Sequence, residues 1–374
     1  MTQPGSNRHV AFRVDASLDI GTGHVMRCLT LADALHRRGV HCTFICRDLQ
    51  GNLAERIRQH GFDVHLLGVT ESVTGNDEPL PAHAGWLGTG WQHDAAQTVA
   101  ALGELKPEWL VVDHYALDTR WEQQLRSHCE KIMVIDDLAD RQHDCDVLLD
   151  QNLGRESSDY ADHVATNCRL LIGTRFALLR REFADARPRA LNRRKHARLR
   201  RILVTMGGVD KDNATGKVLD ALQLCELPDD VEIVVISGSA APHLDAVREQ
   251  ARNMPVKTTV RTAIDNMAEE MILADIAVGA AGSTSWERCC LGLPSLLVVL
   301  ADNQQVIATA LDKVGAAVQI GKADDISTRL PQAMQRVNDS SLLQQMSGNA
   351  QALVDGAGCE RVLDIMLGKE SGNA

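Results

Sequence analysis

Short apolar runs alternate with segments of helical period along most of the chain. Residues 10–14 form an apolar run that ends in a polar Asp15; a glycine loop follows, then apolar positions at helical spacing over 25–38. The alternation continues with a strand over 43–45, a helix over 53–60 and a strand over 64–67. A helix over 94–105 comes next, then strands over 109–112, 132–135 and 147–150 around a helix over 119–128. The stretch 68–91 lacks any period and is rich in Gly and Pro, which predicts an active-site or surface loop. From residue 201 the pattern starts again, with strands over 201–205, 231–236, 258–260, 276–278 and 295–299. Helices over 214–224, 244–253, 267–274 and 284–291 separate them. Such alternation predicts βαβ units and a parallel sheet. Two series predict an α/β protein of two Rossmann-like doubly wound domains, with ligand in a cleft outside the carboxyl ends of the strands.

The length of 374 residues fits two or three domains, and 44% hydrophobic content supplies a packed core. Between the halves, 187–201 carries seven Arg and one Lys with no acidic residue. A nucleic-acid patch is the alternative, but the whole chain carries 39 basic against 50 acidic groups, a net charge of −11 that repels a phosphate polymer. The stretch 187–200 therefore reads as an interdomain linker. Only 3% of residues are aromatic, which argues against stacking nucleic-acid readers and aromatic-platform carbohydrate modules. The longest apolar stretch, 291–301, is broken by Gly292 and Pro294 and is too short to span a bilayer. The first seven residues lack the apolar core of a signal peptide and read as a loose tail, as do the last seven. Ten cysteines without CxxC pairs predict reduced thiols and a cytoplasmic protein.

Candidate chemistry gathers at strand ends. After Arg13 and Asp15, the pair Gly21 and Gly23 precedes His24 at the opening of a helix. Glycines there allow close backbone approach, and the helix N-terminus disfavours a charged imidazole, so on spacing alone His24 reads either as a base that can take a proton or as a capping or core histidine. Met26 stands where a third glycine of GxGxxG would fall, which weakens a nicotinamide site. Asp113 and Tyr115 follow one buried strand, Asp136 and Asp137 another, and Asp150-Gln151-Asn152 a third. In the second half, Gly207 and Gly208 follow a strand, and Gly282, Ser283 and Thr284 open a helix that carries Glu287 one turn in. The helix N-termini after both glycine turns are expected to offer free amides to a diphosphate, and Glu287 to accept from a ribose. Asn303 and Gln304 follow the next strand. No metal-ligand cluster is legible, and neither metal nor cofactor is expected.

At these residues the sequence resembles the UDP-2,4-diacetamido-2,4,6-trideoxy-β-L-altropyranose hydrolase family of pseudaminic acid biosynthesis. The stretches that carry the resemblance are RVDASLDIGTGHVMRCLTLADAL, DHY, IDDLADR, DQNLG, LIGTRFALLRREF, LVTMGGVDKDNAT and AGSTSWERCCLGLPSLLVVLADNQ, in an ordered set over residues 8–367. The family departs from this chain at Phe176, where a tyrosine is expected before the Ala-Leu-Leu-Arg run. The resemblance implies a glycosyltransferase-B fold, with domains at 8–186 and 201–350 and a C-terminal helix over 351–367 returning to the first domain. It implies His24 as general base, with nucleotide contacts at Gly282, Ser283 and Glu287 and Asn303 and Gln304 near the diphosphate or sugar. Arg13, Asp15, Gly21, Gly23, Asp113, Tyr115, Asp137, Gly207, Gly208 and Thr284 complete the expected substrate-binding set. The implied activity is release of UDP from a nucleotide-linked amino sugar by water attack at the anomeric carbon, without an essential metal. A glycosyltransferase with the same donor site, and a non-catalytic nucleotide-sugar binding protein, are the alternatives.

Overall fold

A computed structural model describes residues 8–69, 80–196, 198–239, 241–262, 264 and 266–369. Most of both expected tails, and 70–79 of the expected 68–91 loop, lie outside the described residues. The chain divides into two compact units, Met1–Leu178 with Cys359–Ala374, and Leu179–Gly358.

The first unit is built on seven parallel strands: β1 (His9–Val14), β2 (His41–Arg47), β3 (Asp63–Leu67), β4 (Trp109–Asp113), β5 (Lys131–Ile135), β6 (Val147–Asp150) and β7 (Arg169–Ile172). Their order is β3-β2-β1-β4-β5-β6-β7. The helices α1 (Gly23–His36), α2 (Ala54–Gln59), α3 (Trp91–Leu102) and α4 (Thr119–Leu125) connect them. On α1, Val25, Cys28, Leu29, Ala32 and Leu35 recur at three- and four-residue spacing and are buried, which seats one face of the helix on the sheet. The central strands β1 and β4 are buried along nearly their whole length, as parallel strands covered on both faces must be. Because β2 lies on one side of β1 and β4 on the other, the connections leave β1 in opposite directions. The carboxyl ends of β1 and β4 thus form a topological switch point.

The second unit begins with α5 (Arg181–Arg194) and carries six parallel strands. These are β8 (Arg201–Thr205), β9 (Glu232–Ile236), β10 (Lys257–Arg261), β11 (Ile276–Ala280), β12 (Ser295–Val299) and β13 (Ala317–Lys322), in the order β10-β9-β8-β11-β12-β13. The helices are α6 (Ala214–Gln223), α7 (Leu244–Arg252), α8 (Met267–Leu273), α9 (Thr284–Cys290), α10 (Gln304–Lys313), α11 (Ile326–Val337) and α12 (Ser340–Leu353). The final helix, α13 (Gly358–Met366), returns to the first unit: Val362, Leu363 and Met366 pack in its core, and the Trp109 indole N–H donates to the Met366 carbonyl at 3.0 Å.

The expected linker over 187–200 is a helix for more than half its length, and its arginines have internal work. Arg194 donates to the carbonyls of Leu291, Ala274 and Met271 at 2.7, 2.9 and 2.8 Å, and Arg187 to those of Cys290, Val354 and Gln351. These carbonyls close the C-terminal turns of α8, α9 and α12, where helices leave acceptors unpaired. Guanidinium groups satisfy them, so Arg187 and Arg194 act as helix caps, while Arg189, Arg193, Arg198, Arg200 and Arg201 pair with carboxylates of the same unit. Strands β7 and β13 escape the periodicity reading, β7 because it is only four residues long and β13 because its six residues, AVQIGK, include Gln, Gly and Lys and form no continuous apolar run. Among the described residues no helix is long and apolar enough to cross a membrane.

Candidate active site

The loop after β1 is shaped by local hydrogen bonds before any side chain reaches a site. The Ser17 hydroxyl accepts from the backbone N–H groups of Asp19 and Ile20, and Gly21 takes φ +79° while its N–H bonds the Ser17 carbonyl at 2.9 Å. A positive φ suits glycine because it has no Cβ to clash. The turn delivers Gly23 and His24 as the first residues of α1.

From there the His24 Nδ1 lies 2.6 Å from Asp113 Oδ1, at the end of β4. Asp113 is fully buried and also accepts from Arg27, through Nε at 2.6 Å and Nη2 at 2.7 Å. Burial alone would raise the Asp113 pKa, but the Arg27 charge, helped by His24, holds it well below the usual carboxylate range. A carboxylate only accepts hydrogen bonds, so the neutral imidazole places its proton on Nδ1 and keeps a lone pair on Nε2. This is the arrangement of a base oriented by a buried acid. Arg27 extends the network, its Nη1 lying 2.7 Å from Asp137 Oδ2. Asp137 accepts in addition from the Tyr115 hydroxyl at 2.6 Å and the Asn152 amide at 2.8 Å. Burial, with the Asp137 charge beside it, pushes the Tyr115 phenol well above its usual pKa and keeps it a donor. Its ring stands edge-on to His24 with centroids 4.6 Å apart.

Arg13 and Asp15 lie deeper than a ligand contact would. Arg13 is wholly enclosed, donating to Asp15 at 2.6 and 2.9 Å and to Asp94 at 3.1 and 2.6 Å. Asp15 further accepts from the Arg47 backbone N–H at 2.6 Å, and Arg47 and Trp121 also donate to Asp94. The group ties β1, β2 and α3 together beneath the loops, and neither side chain has surface to offer a substrate.

In the second unit Gly207 and Gly208 form an exposed loop after β8, with Gly207 at φ +91°. The amides expected to be free on the following helix are already taken. Asp210 accepts from Ala214 and Thr215 N–H at 2.8 and 2.9 Å, and Asn213 from Gly216 N–H at 3.2 Å. Around α9 the picture differs. Ser283 stands at the N-cap without a side-chain cap bond, Gly282 precedes it, and Thr284 begins the helix. Gln304 meets this loop: a Cβ on Gly282 would lie 3.9 Å from its amide nitrogen, while its Oε1 accepts from Leu300 N–H at 3.0 Å. Asn303 caps α10, likewise without a side-chain cap bond. Burial raises the Glu287 pKa, offset in part by Arg180, whose Nη2 lies 3.4 Å from Glu287 Oε1.

The structure thus joins His24, Asp113, Tyr115 and Asp137 into one network, and places Gln304 beside Gly282 without a bond between them. Arg27 and Arg180 escaped the sequence reading. Arg27 had a signal, since it lies one helical turn after His24 and must share its face; Arg180 had none.

Residues 201–359 match the Glycosyltransferase family 28 C-terminal domain. MurG of Acinetobacter baumannii superposes with a TM-score of 0.70 at 17% identity, covering 96% of this chain and 99% of that one. The chain therefore has the glycosyltransferase-B fold, two Rossmann-like domains in tandem. Within that class, it is 26% identical over 313 residues to the UDP-2,4-diacetamido-2,4,6-trideoxy-β-L-altropyranose hydrolase of Campylobacter jejuni, over 83% of this chain and 98% of the relative. The family resemblance carried by the motifs is thus found over most of the chain. It is also 24% identical over 299 residues to an uncharacterized protein of Methanocaldococcus jannaschii, of whose length the match spans 56%.

Proposed function

We propose that the protein hydrolyses a UDP-linked 2,4-diacetamido-2,4,6-trideoxy sugar at its anomeric carbon. The observation that carries this reading is the 2.6 Å contact between His24 Nδ1 and the buried, ionised Asp113, which leaves Nε2 as an acceptor for the proton of water. In the reaction, the water oxygen bonds to the anomeric carbon as the bond from that carbon to the diphosphate oxygen breaks. The water proton passes to Nε2, and the products are UDP and the free sugar. Gly282, Ser283, Gln304 and Glu287 would hold the nucleotide, their loops donating to the departing diphosphate and Glu287 accepting from the ribose. The likeness to the Campylobacter hydrolase supports both the reaction and the sugar class. Turnover in ¹⁸O water tests it: label is expected in the free sugar. Label in UDP would mean attack at phosphorus and would overturn the reading.

The match of 201–359 to a glycosyltransferase domain favours a second reading, transfer of the sugar to an acceptor hydroxyl. Release of UDP without any acceptor, at a rate that added alcohols do not raise, separates hydrolysis from transfer.

A further inference from the structure

Aromatic residues are scarce in this chain, with 5 Trp, 2 Tyr and 5 Phe, yet Tyr115, which meets His24, has two further rings packed against it. The Tyr115 ring meets His24 edge-on at 4.6 Å, His83 at 5.5 Å and Trp86 at 5.8 Å, the last in a stacked orientation with 27° between planes. His83 and Trp86 are themselves 4.3 Å apart. Tyr115 is buried, whereas His83 and Trp86 are only half-buried. Trp109, Trp121 and Trp286, by contrast, are enclosed in the cores. The turn that carries the two outer rings is fixed. Leu87 is sunk in the core, Ala84 N–H bonds the Pro81 carbonyl at 3.0 Å, and Trp86 N–H bonds the His83 carbonyl at 2.9 Å.

The rest of this site is polar: His24, Asp113, Arg27 and Asp137 bind protons and charges. A fixed apolar surface at their side serves a ligand that has an apolar part, because binding sites orient a ligand with few polar groups and select it with apolar walls. An aromatic face packs well against methyl groups and the C–H edge of a sugar ring. We infer that His83 and Trp86, backed by the buried Tyr115 ring, form a wall that receives a methyl-bearing edge of the sugar of a nucleotide-linked substrate, and so sets which sugars reach His24. The methyl comes from C6 of a 6-deoxy sugar or from an acetamido group. This inference rests on the proposed nucleotide-sugar reading, to which it adds the sugar subsite.

The test uses Trp86→Ala and Trp86→Phe in the full-length protein. Steady-state kinetics with the UDP-diacetamido-trideoxy sugar, and inhibition by UDP alone, are measured for each. One methyl group in an apolar pocket is worth about 10- to 200-fold in discrimination. Trp86→Ala is therefore expected to raise KM for the sugar nucleotide at least tenfold, with inhibition by UDP unchanged; Trp86→Phe is expected to recover most of the loss. UDP-N-acetylglucosamine, which keeps an acetamido group and lacks the C6 methyl, separates the two sources. A loss confined to the trideoxy sugar assigns the C6 methyl, and a loss shared by both assigns the acetamido group. Unchanged KM in a folded Trp86→Ala, or an equal loss for UDP alone, overturns the inference while hydrolysis by the wild type stands. If the wild type binds the sugar nucleotide more tightly than UDP by calorimetry but never cleaves it, and Trp86→Ala removes that difference, the wall is upheld and the hydrolase reading fails.

Discussion

Replacing His24 by alanine removes the Nε2 lone pair while leaving Asp113 paired with Arg27 at 2.6 and 2.7 Å. The expected result is a fall in kcat of about 10²–10⁴ with inhibition by UDP unchanged, since a positioned base contributes that much to proton transfer. A folded variant with wild-type turnover would make His24 a packing residue. Asp113→Asn should also lower kcat, because an amide can present its N–H to Nδ1 and so move the imidazole proton to Nε2. A second residue-scale expectation concerns pH. Burial and the neighbouring Asp137 charge push Asp150 up to about 7. The folded state then keeps a proton that the unfolded chain loses near pH 4, so this group's contribution to stability falls as pH rises from about 4 to about 7 and levels above. Asp150→Asn is expected to remove that fall, so urea melts should show the variant gaining more over wild type at pH 8 than at pH 5. An equal difference at both pH values would reject it. The depressed carboxylates Asp15, Asp113 and Asp136 act in the opposite sense and only in acid, their stabilisation being lost as pH drops below the unfolded value near 4.

The strand-end loops of the second unit depend on close backbone approach. A Cβ on Gly238, just after β9, would meet the Gly208 carbonyl oxygen at 2.0 Å, and one on Gly279 in β11 would meet the buried Arg288 guanidinium at 2.1 Å. The first contact cannot be borne without moving the chain; the second asks a fully buried guanidinium to shift and also sets the Cβ 2.8 Å from the Thr205 carbonyl oxygen. Gly238→Ala must displace the Gly207–Gly208 loop, and overpacking of this kind costs about 1–3 kcal/mol. Its urea midpoint should drop accordingly, and an unchanged midpoint would mean that the loop yields freely. The same scale explains the basic helix α5. Its arginines look like a charge run in one dimension, and only the tertiary structure reveals their partners: the ends of α8, α9 and α12 for Arg187 and Arg194, and the carboxylates of Glu269 and Asp275 for Arg189 and Arg193.

For the molecule as a whole, the carboxylates nearest the candidate base are already neutralised by arginine. Asp113 and Asp137 share Arg27, and Asp136 lies 2.8 Å from Arg141. A divalent ion would have to displace a guanidinium to bind them, so UDP release is expected to persist in excess EDTA. Activity lost on chelation and restored by one particular ion would overturn this and make those carboxylates ligands.

Local pattern determined much of this protein. Apolar runs and helical spacing place nearly all central strands and the helices between them, because a parallel strand covered on both faces must be apolar along its length. The glycine turns, His24 and the strand-end aspartates are legible because each apolar run stops at a polar residue, and the carboxyl ends of the strands of a doubly wound sheet are where ligands bind. What pairs with what was decided only in three dimensions. Arg13 and Asp15 sit in a motif that reads as a binding loop, yet the packing of β1 against β2 and α3 encloses them with Asp94, 81 residues from Arg13. Asp113 meets His24 across 89 residues because β4 lies beside β1, and strand order is set by how the helices cover the sheet. Chain distance carries no record of such neighbours; only the burial of both faces of the sheet brings them together.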